Sequence, residues 1–107
     1  IGGRAAQRED GMIGVVATIK VQEGKGPEFE KVFSDLAAKV KANEPGNLMY
    51  QVCKSRTDAN TYKVLELYAS EDALKAHGSS DHFKAAGPGI GACLAGRPEV
   101  EYLDAVN

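Results

Sequence analysis

The sequence predicts an α+β fold of the ferredoxin-like type, with the element order β-α-β-β-α-β. Three observations support this prediction. An alternating apolar run, Ile13 to Val21, predicts a first strand, and a helical apolar period follows from Phe29 to Val40. Two further strand-like runs come next, joined by a polar turn. This order forms an antiparallel four-stranded sheet with both helices on one face.

The first half of the chain has the clearest periodicity. Ile13, Val15, Ala17, Ile19 and Val21 alternate with a more polar set, as expected for a strand with one buried face. Pro27 suits the first turn of the following helix, because a proline there sacrifices no helical hydrogen bond. The apolar stripe of that helix comprises Phe29, Val32, Phe33, Leu36, Ala37 and Val40.

The second and third strands are predicted at residues 47–55 and 61–69, with a turn at 56–60. The third carries apolar residues on both faces, which predicts a central position in the sheet. Ser70 is a plausible N-cap for a short second helix, on which His77 faces inward. Residues 79–86 can form another helical turn. The glycine-rich stretch 87–91 is predicted to be a loop or a frayed, mobile helix start at a pocket rim, and residues 98–106 a last strand.

Length and composition indicate one domain and exclude some classes of partner. With 107 residues the chain can form a single core, predicted at 12–107 and preceded by a flexible arm at 1–11. A net charge of −2 gives no basic footprint for nucleic acid, and no apolar run reaches the roughly 20 residues that span a membrane. Cys53 and Cys93 form no metal motif and suit a reducing compartment, so we expect a cytoplasmic protein.

One face of the predicted sheet has no helix to cover it. Leu65 and Leu67 lie on that face of the third strand, opposite Glu66. An apolar sheet face usually meets a partner, so we expect a face-to-face homodimer.

His77 and Glu66 are the first candidates for chemistry. A histidine above the third strand could deprotonate a phenol, because its pKa lies near physiological pH. Burying the charged carboxylate of Glu66 in a central strand costs free energy unless the carboxylate is paired. Glu66 could therefore orient His77. The alternatives are a structural histidine bonded to Glu66 or a backbone carbonyl, and a glutamate paired with an exposed lysine.

The remaining candidates lie around these two. His82 could join His77 and Glu66 as a metal ligand, but its spacing from His77 matches no known ligand motif, and we expect no metal. Tyr50, Tyr62 and Tyr68 could line a pocket for a flat aromatic ligand, or they could simply pack in the core.

The sequence resembles the antibiotic biosynthesis monooxygenase domain family, of the dimeric α+β barrel superfamily. The resemblance covers residues 12–106. The residues that carry it are Glu44-Pro45-Gly46 with Tyr50, Glu66-Leu67-Tyr68 leading into Ser70 to Leu74, His77, and Ser80 to Lys84.

The resemblance implies a homodimer whose sheets form a barrel, and a ligand cavity between sheet and helices. Characterised relatives oxidise quinols or polyphenolic aromatics with O2, without flavin, haem or metal. It therefore implies a cofactor-independent monooxygenase, with His77 and Glu66 catalytic. Tyr50, Tyr68, His82 and Phe83 would bind the substrate.

A second class of function remains open within the same superfamily. Some relatives isomerise small phosphorylated sugars, so this chain could be an isomerase or a non-catalytic binding protein. Haem-degrading relatives carry Trp at the position of His77 and an iron ligand near Gly87, which argues against haem. Many monooxygenase-like members have Trp where this chain has Tyr68, so the substrate stays open.

Overall fold

The computed structural model describes residues 11–107. The predicted arm at 1–11 therefore lies outside the described residues, apart from Gly11. The strands are β1 (Ile13–Lys20), β2 (Asn47–Lys54), β3 (Thr61–Tyr68) and β4 (Glu99–Asp104). The helices are α1 (Gly26–Asn43), α2 (Glu71–Gly78) and α3 (Asp81–Gly91).

The strands form one antiparallel sheet in the order β2-β3-β1-β4. The predicted ferredoxin-like fold is therefore confirmed, and β3 is central as expected. The further helical turn predicted at 79–86 is present as the start of a third helix, α3, which continues to Gly91.

Helix α1 covers the sheet through its predicted apolar stripe. Pro27 lies in its first turn, and Phe29, Phe33, Leu36 and Val40 are buried. These side chains pack against the inward-facing residues of β1 and β3, whose exposure alternates along each strand. Glu66 belongs to this buried face of β3, between Val64 and Tyr68, so a carboxylate is held inside the fold.

Of the two structures predicted for 87–91, the loop is wrong and a helix is present, since these residues form the second half of α3. Ser80 caps this helix, accepting a hydrogen bond from the backbone N–H of Phe83. Pro88 removes one helical hydrogen bond, but helix packing offsets this loss. The Cα of Gly89 approaches α1 so closely that an added Cβ would lie 3.4 Å from Cγ1 of Val32. The glycines that suggested a loop therefore allow two helices to pack closely.

The opposite face of the sheet is not covered by helices, as expected. Val16 pairs with Leu65, and Met49 pairs with Leu67, so these apolar side chains share one face. All are partly or largely exposed. Strand β4 is exposed along its whole length.

Within residues 11–107, no helix is both long and apolar enough to cross a membrane. Cys53 is half-buried and Cys93 is buried, and both are free.

Candidate functional site

Glu44 lies where α1 ends and the chain turns toward β2. Its backbone N–H donates to the carbonyl of Val40 at 2.9 Å, and its own carbonyl accepts from the N–H of Asn47 at 3.0 Å. These bonds hold the backbone of Glu44 on both sides. Its carboxylate points inward and is only 8% exposed.

His77 and His82 are held by the joint between α2 and α3. Ser70 caps α2 by accepting a hydrogen bond from the N–H of Ala73, and His77 lies in the last turn of that helix. The hydroxyl of Ser80 donates to the carbonyl of His77 at 2.7 Å and accepts from the N–H of Phe83. Ser80 thus ties the end of α2 to the start of α3, which brings the two histidines to one place.

Both histidines contact the same carboxylate. Nδ1 of His77 lies 3.0 Å from Oε2 of Glu44 and 3.2 Å from Oε1. Nε2 of His82 lies 2.5 Å from Oε2 of Glu44. The side chains of His77 and His82 are 7% and 14% exposed, so the cluster is largely shielded from water.

These contacts select the tautomers of the two rings. An ionised carboxylate can only accept hydrogen bonds, so Nδ1 of His77 and Nε2 of His82 each carry a proton. When His77 is neutral, its Nε2 therefore carries a lone pair and can accept a proton. The arrangement is a histidine–carboxylate dyad with a second histidine on the same carboxylate.

Aromatic rings surround His77. Its ring centroid lies 5.3 Å from that of Tyr50, 5.4 Å from that of Tyr68 and 4.7 Å from that of Phe83. Burial raises the pKa of both tyrosines, and the nearby Glu66 carboxylate raises each further. Tyr50 and Tyr68 therefore stay protonated at neutral pH and can act as hydrogen-bond donors but not as bases.

Glu66 does not make the contact predicted for it. Its Oε1 accepts a hydrogen bond from the hydroxyl of Tyr68 at 2.6 Å, whereas Nδ1 of His77 is bonded to Glu44. The prediction that Glu66 orients His77 is wrong in this respect. Burial raises the pKa of Glu66, while the Tyr68 hydrogen bond and the charge of His77 oppose that rise.

The structure brings the six predicted site residues into one region, and it adds Glu44. Sequence reasoning missed Glu44 as a site residue because it lies 33 positions before His77, beyond any local period. A signal for it was present, since Glu44 opens the Glu44-Pro45-Gly46 motif that carries the family resemblance.

Three of these side chains could also hold a metal ion. One ligand atom from each of Glu44, His77 and His82 lies within 4.8 Å of the other two. Glu44 thus takes the place that the sequence analysis gave to Glu66 in this possible ligand set.

A groove lies beside α2, on the β4 side of the sheet. Its volume is about 380 Å³, and it is lined by Ile13, Glu71, Leu74, Tyr102, Leu103 and Asp104. Ile13 and Leu74 pack in the same cluster as Tyr68. Neither Glu44 nor any of the six predicted site residues lines this groove, which borders the aromatic cluster through Ile13 and Leu74.

Fold and site together define a small ferredoxin-like α+β domain with a buried histidine–carboxylate dyad among aromatic rings. The chain belongs to the antibiotic biosynthesis monooxygenase family, whose model matches residues 12–88.

Individual relatives agree with this assignment. The Bacillus subtilis protein YcnE, named as a candidate monooxygenase, is 34% identical over 73 residues, which are 68% of this chain and 76% of YcnE. A Caulobacter crescentus structure, described as a candidate antibiotic biosynthesis monooxygenase, is 67% identical with a TM-score of 0.89 and covers 92% of both chains. The structure of SnoaB, a cofactor-independent oxygenase from Streptomyces nogalater, has a TM-score of 0.78 at 23% identity. It covers 90% of this chain and 94% of SnoaB, and it supports the fold alone.

Proposed function

We propose that this protein is a cofactor-independent monooxygenase that oxidises a quinol-like or polyphenolic aromatic with O2. The observation that carries the proposal is the contact between Glu44 and Nδ1 of His77, made within a cluster of aromatic rings. It presents a candidate base where a flat phenolic substrate could stack. The family assignment and the names of the Bacillus and Caulobacter relatives support the same reaction class.

The chemistry requires a base and a shielded site but no external reductant. Nε2 of His77 accepts the proton of a substrate hydroxyl, and the resulting phenolate is electron-rich enough to pass electrons to O2. A phenol and O2 then give a quinone and water. One oxygen atom enters the ring as the new carbonyl and the other leaves as water, so the substrate supplies all four electrons.

Glu44 has a positioning role in this scheme. Its carboxylate holds the ring of His77 in one orientation and stabilises the imidazolium that forms when Nε2 takes the proton, as in other histidine–carboxylate pairs. Glu66 acts indirectly, by fixing the hydroxyl of Tyr68 beside the site.

The aromatic residues and the groove provide the binding surface. Tyr50, Tyr68 and Phe83 surround His77, and Phe83 is the most exposed of the three at 36%. His82 shares the carboxylate of Glu44 at the rim. The groove has a volume within the range of small-molecule sites, roughly 300–1,000 Å³. A substrate entering there would lie between Leu74 and the exposed ring of Tyr102.

The working form in this proposal is a homodimer in a reducing compartment such as the cytoplasm. Val16, Leu65 and Leu67 leave an apolar patch on the face of the sheet away from the helices, and a second copy would cover it. The two free cysteines suit a reducing compartment.

The alternative is an isomerase or binding protein for a small metabolite. A phosphorylated ligand needs cations directed at its phosphate. In the described part of the chain, the groove has two acidic side chains, Glu71 and Asp104, among its lining residues and no lysine or arginine. This charge favours a neutral aromatic substrate over a phosphorylated one.

Oxygen uptake tests the proposal. Metal-stripped protein is mixed with a panel of reduced naphthoquinols and polyphenols, with autoxidation subtracted and His77→Ala run beside the wild type. We expect enzyme-dependent uptake that falls about tenfold or more in the variant, as loss of a general base should give. No enzyme-dependent uptake on any substrate would overturn the oxygenase and favour the alternative. Uptake that His77→Ala leaves unchanged would overturn the role of His77.

A further inference from the structure

We propose that Glu44, His77 and His82 form a binding site for one divalent transition-metal ion. Two imidazole nitrogens and a carboxylate oxygen lie within 4.8 Å of one another and are largely buried. Two histidines with one carboxylate are an established ligand set for such ions. Coordination uses the lone pair of each nitrogen, so the protons on Nδ1 of His77 and Nε2 of His82 move to the other ring nitrogens or to solvent when the ion binds. The metal-bound protein is therefore a different state from the metal-free one in which Nε2 of His77 acts as a base, and this inference does not depend on the proposed oxygenase.

The distances from Glu44 to the two histidines are close to those that a metal requires. Bonds of about 2.0–2.2 Å at angles of about 90–110° place neighbouring ligand atoms about 2.8–3.6 Å apart. Nδ1 of His77 already lies 3.0 Å and 3.2 Å from the two oxygens of Glu44. Nε2 of His82 lies 2.5 Å from Oε2, so its ring would have to withdraw by about 0.3 Å or more to reach that spacing.

The backbone positions of the three ligands are already fixed. They come from the end of α1, the last turn of α2 and the first turn of α3. Hydrogen bonds hold Glu44 between Val40 and Asn47, and the Ser80 hydroxyl joins the two histidine-bearing helices. A preorganised site loses little conformational freedom when an ion binds, and that favours affinity.

The charge around the cluster favours a cation. Within residues 11–107, both ion pairs of Glu44 are with histidines, which are neutral unless protonated. Glu66 is also buried, and its pKa is raised chiefly by that burial and to a smaller extent by the carboxylate of Glu44. A bound dication would offset the repulsion between two buried carboxylates.

The ligand types select the class of metal. Imidazole nitrogens suit zinc, iron, nickel and copper, whereas magnesium and calcium prefer ligand sets made of oxygen. Three protein ligands leave at least one coordination position for water or another small molecule. Zn²⁺ and Co²⁺ are therefore the appropriate probes.

A titration with Co²⁺ tests the site. Tag-free protein is treated with EDTA, exchanged into clean buffer and titrated, with the visible absorption of bound Co²⁺ recorded and Zn²⁺ then added as competitor. We expect the wild type to bind one Co²⁺ per chain and Zn²⁺ to displace it. The affinity for Co²⁺ should fall about tenfold or more in Glu44→Gln and in His82→Gln, because loss of a residue that only hydrogen-bonds to a metal ligand already lowers metal affinity by that factor. Glu71→Gln makes the same change at an exposed carboxylate outside the cluster and should bind as the wild type does.

Two outcomes of the titration would overturn the proposal: no stoichiometric Co²⁺ or Zn²⁺ binding by the wild type, or equal binding by wild type, Glu44→Gln and His82→Gln.

A second measurement needs no variant. The chain has only two histidines, so both imidazole proton signals should shift or broaden together as one equivalent of Co²⁺ is added. Signals that stay sharp and unshifted would contradict the site. Both experiments use protein without substrate, so their failure would leave the oxygenase proposal intact.

Discussion

Nδ1 of His77 lies 3.0 Å from Oε2 of Glu44, although the two residues are 33 positions apart in the sequence. The contact forms because α1 ends at Asn43, just before Glu44, and α2 packs against β2, the strand that follows Glu44. It fixes which nitrogen of His77 carries a proton and which is left to accept one. The proposed chemistry follows from this orientation.

The hydrogen bond from Tyr68 to Glu66 should contribute measurably to stability. Tyr68→Phe removes the hydroxyl that donates to this buried carboxylate, and leaving such an acceptor without its donor costs about 1–3 kcal/mol. Tyr62→Phe is the matched control on the same strand, because the hydroxyl of Tyr62 donates to Glu30, whose side chain is about half exposed. Water can replace that bond, so Tyr62→Phe should cost less. Urea unfolding measures the free energy of unfolding of both variants. Equal losses in Tyr68→Phe and Tyr62→Phe would contradict the account.

The raised pKa of Glu66 predicts how stability varies with pH. A group whose pKa is higher in the folded state stabilises the fold below its ordinary value of 4.5, and that stabilisation is lost as pH rises through the folded pKa. Glu66→Gln keeps the side chain neutral and can still accept from Tyr68. It should therefore be more stable than wild type at neutral pH, with the advantage shrinking toward pH 4.5.

Urea midpoints of wild type and Glu66→Gln at the two pH values check this prediction. Glu71→Gln, the same change at an exposed position, should show no such pH-dependent difference. A Glu66→Gln protein that is less stable than wild type at neutral pH would show that ionised Glu66 is stabilised by partners other than Tyr68.

Two glycine substitutions should have opposite effects. Gly46→Ala would place a Cβ 2.5 Å from Cβ of Ala73, so α2 would have to move away from the loop that follows Glu44. Overpacking of this kind costs about 1–3 kcal/mol. Gly91→Ala meets no atom within 4 Å beyond its chain neighbours and its own helix backbone, and it lies in the last turn of α3 with no proline after it. It should therefore stabilise by about 0.4–1 kcal/mol, chiefly because alanine reduces the freedom of the unfolded chain. Thermal denaturation compares them, and a stabilised Gly46→Ala protein would contradict the packing described here.

The proposed homodimer predicts a charge-sensitive interface. Leu67→Lys places a charge in the middle of the uncovered sheet face, where a second copy would have to bury it, so the variant should become monomeric. Lys31→Glu, on the exposed side of α1, should leave the assembly unchanged. Sedimentation velocity distinguishes the two. A wild type that sediments as a monomer at all concentrations would overturn the dimer.

The fold was predictable from sequence wherever periodicity was strong. The apolar alternation of β1 and the stripe of α1 each agree with the burial in the structure, because both elements have one face on the core. The segment at 87–91 was not predictable, because glycine and proline usually mark loops. Here close packing of α3 against α1 at Gly89 favours a helix despite them.

The site was only partly predictable. The inward direction of His77 followed from the helical period of α2, and the position of Glu66 from the alternation of β3. The partner of His77 did not follow, since local patterns do not report which helix end meets which. In the predicted sheet, Glu66 was the carboxylate nearest to His77. In the structure, Glu66 accepts a hydrogen bond from Tyr68, and His77 contacts Glu44 at the end of α1 instead.

The central claim, that Glu44 and His77 act as one catalytic unit, is tested most directly by a double-mutant cycle on oxygen uptake. The rates of wild type, His77→Ala, Glu44→Gln and the double variant are measured with the best substrate of the panel. Because Glu44 acts only through His77, we expect each single change to lower kcat about tenfold or more, and the double variant to be no slower than His77→Ala. Full activity in Glu44→Gln, or losses that multiply in the double variant, would contradict the account.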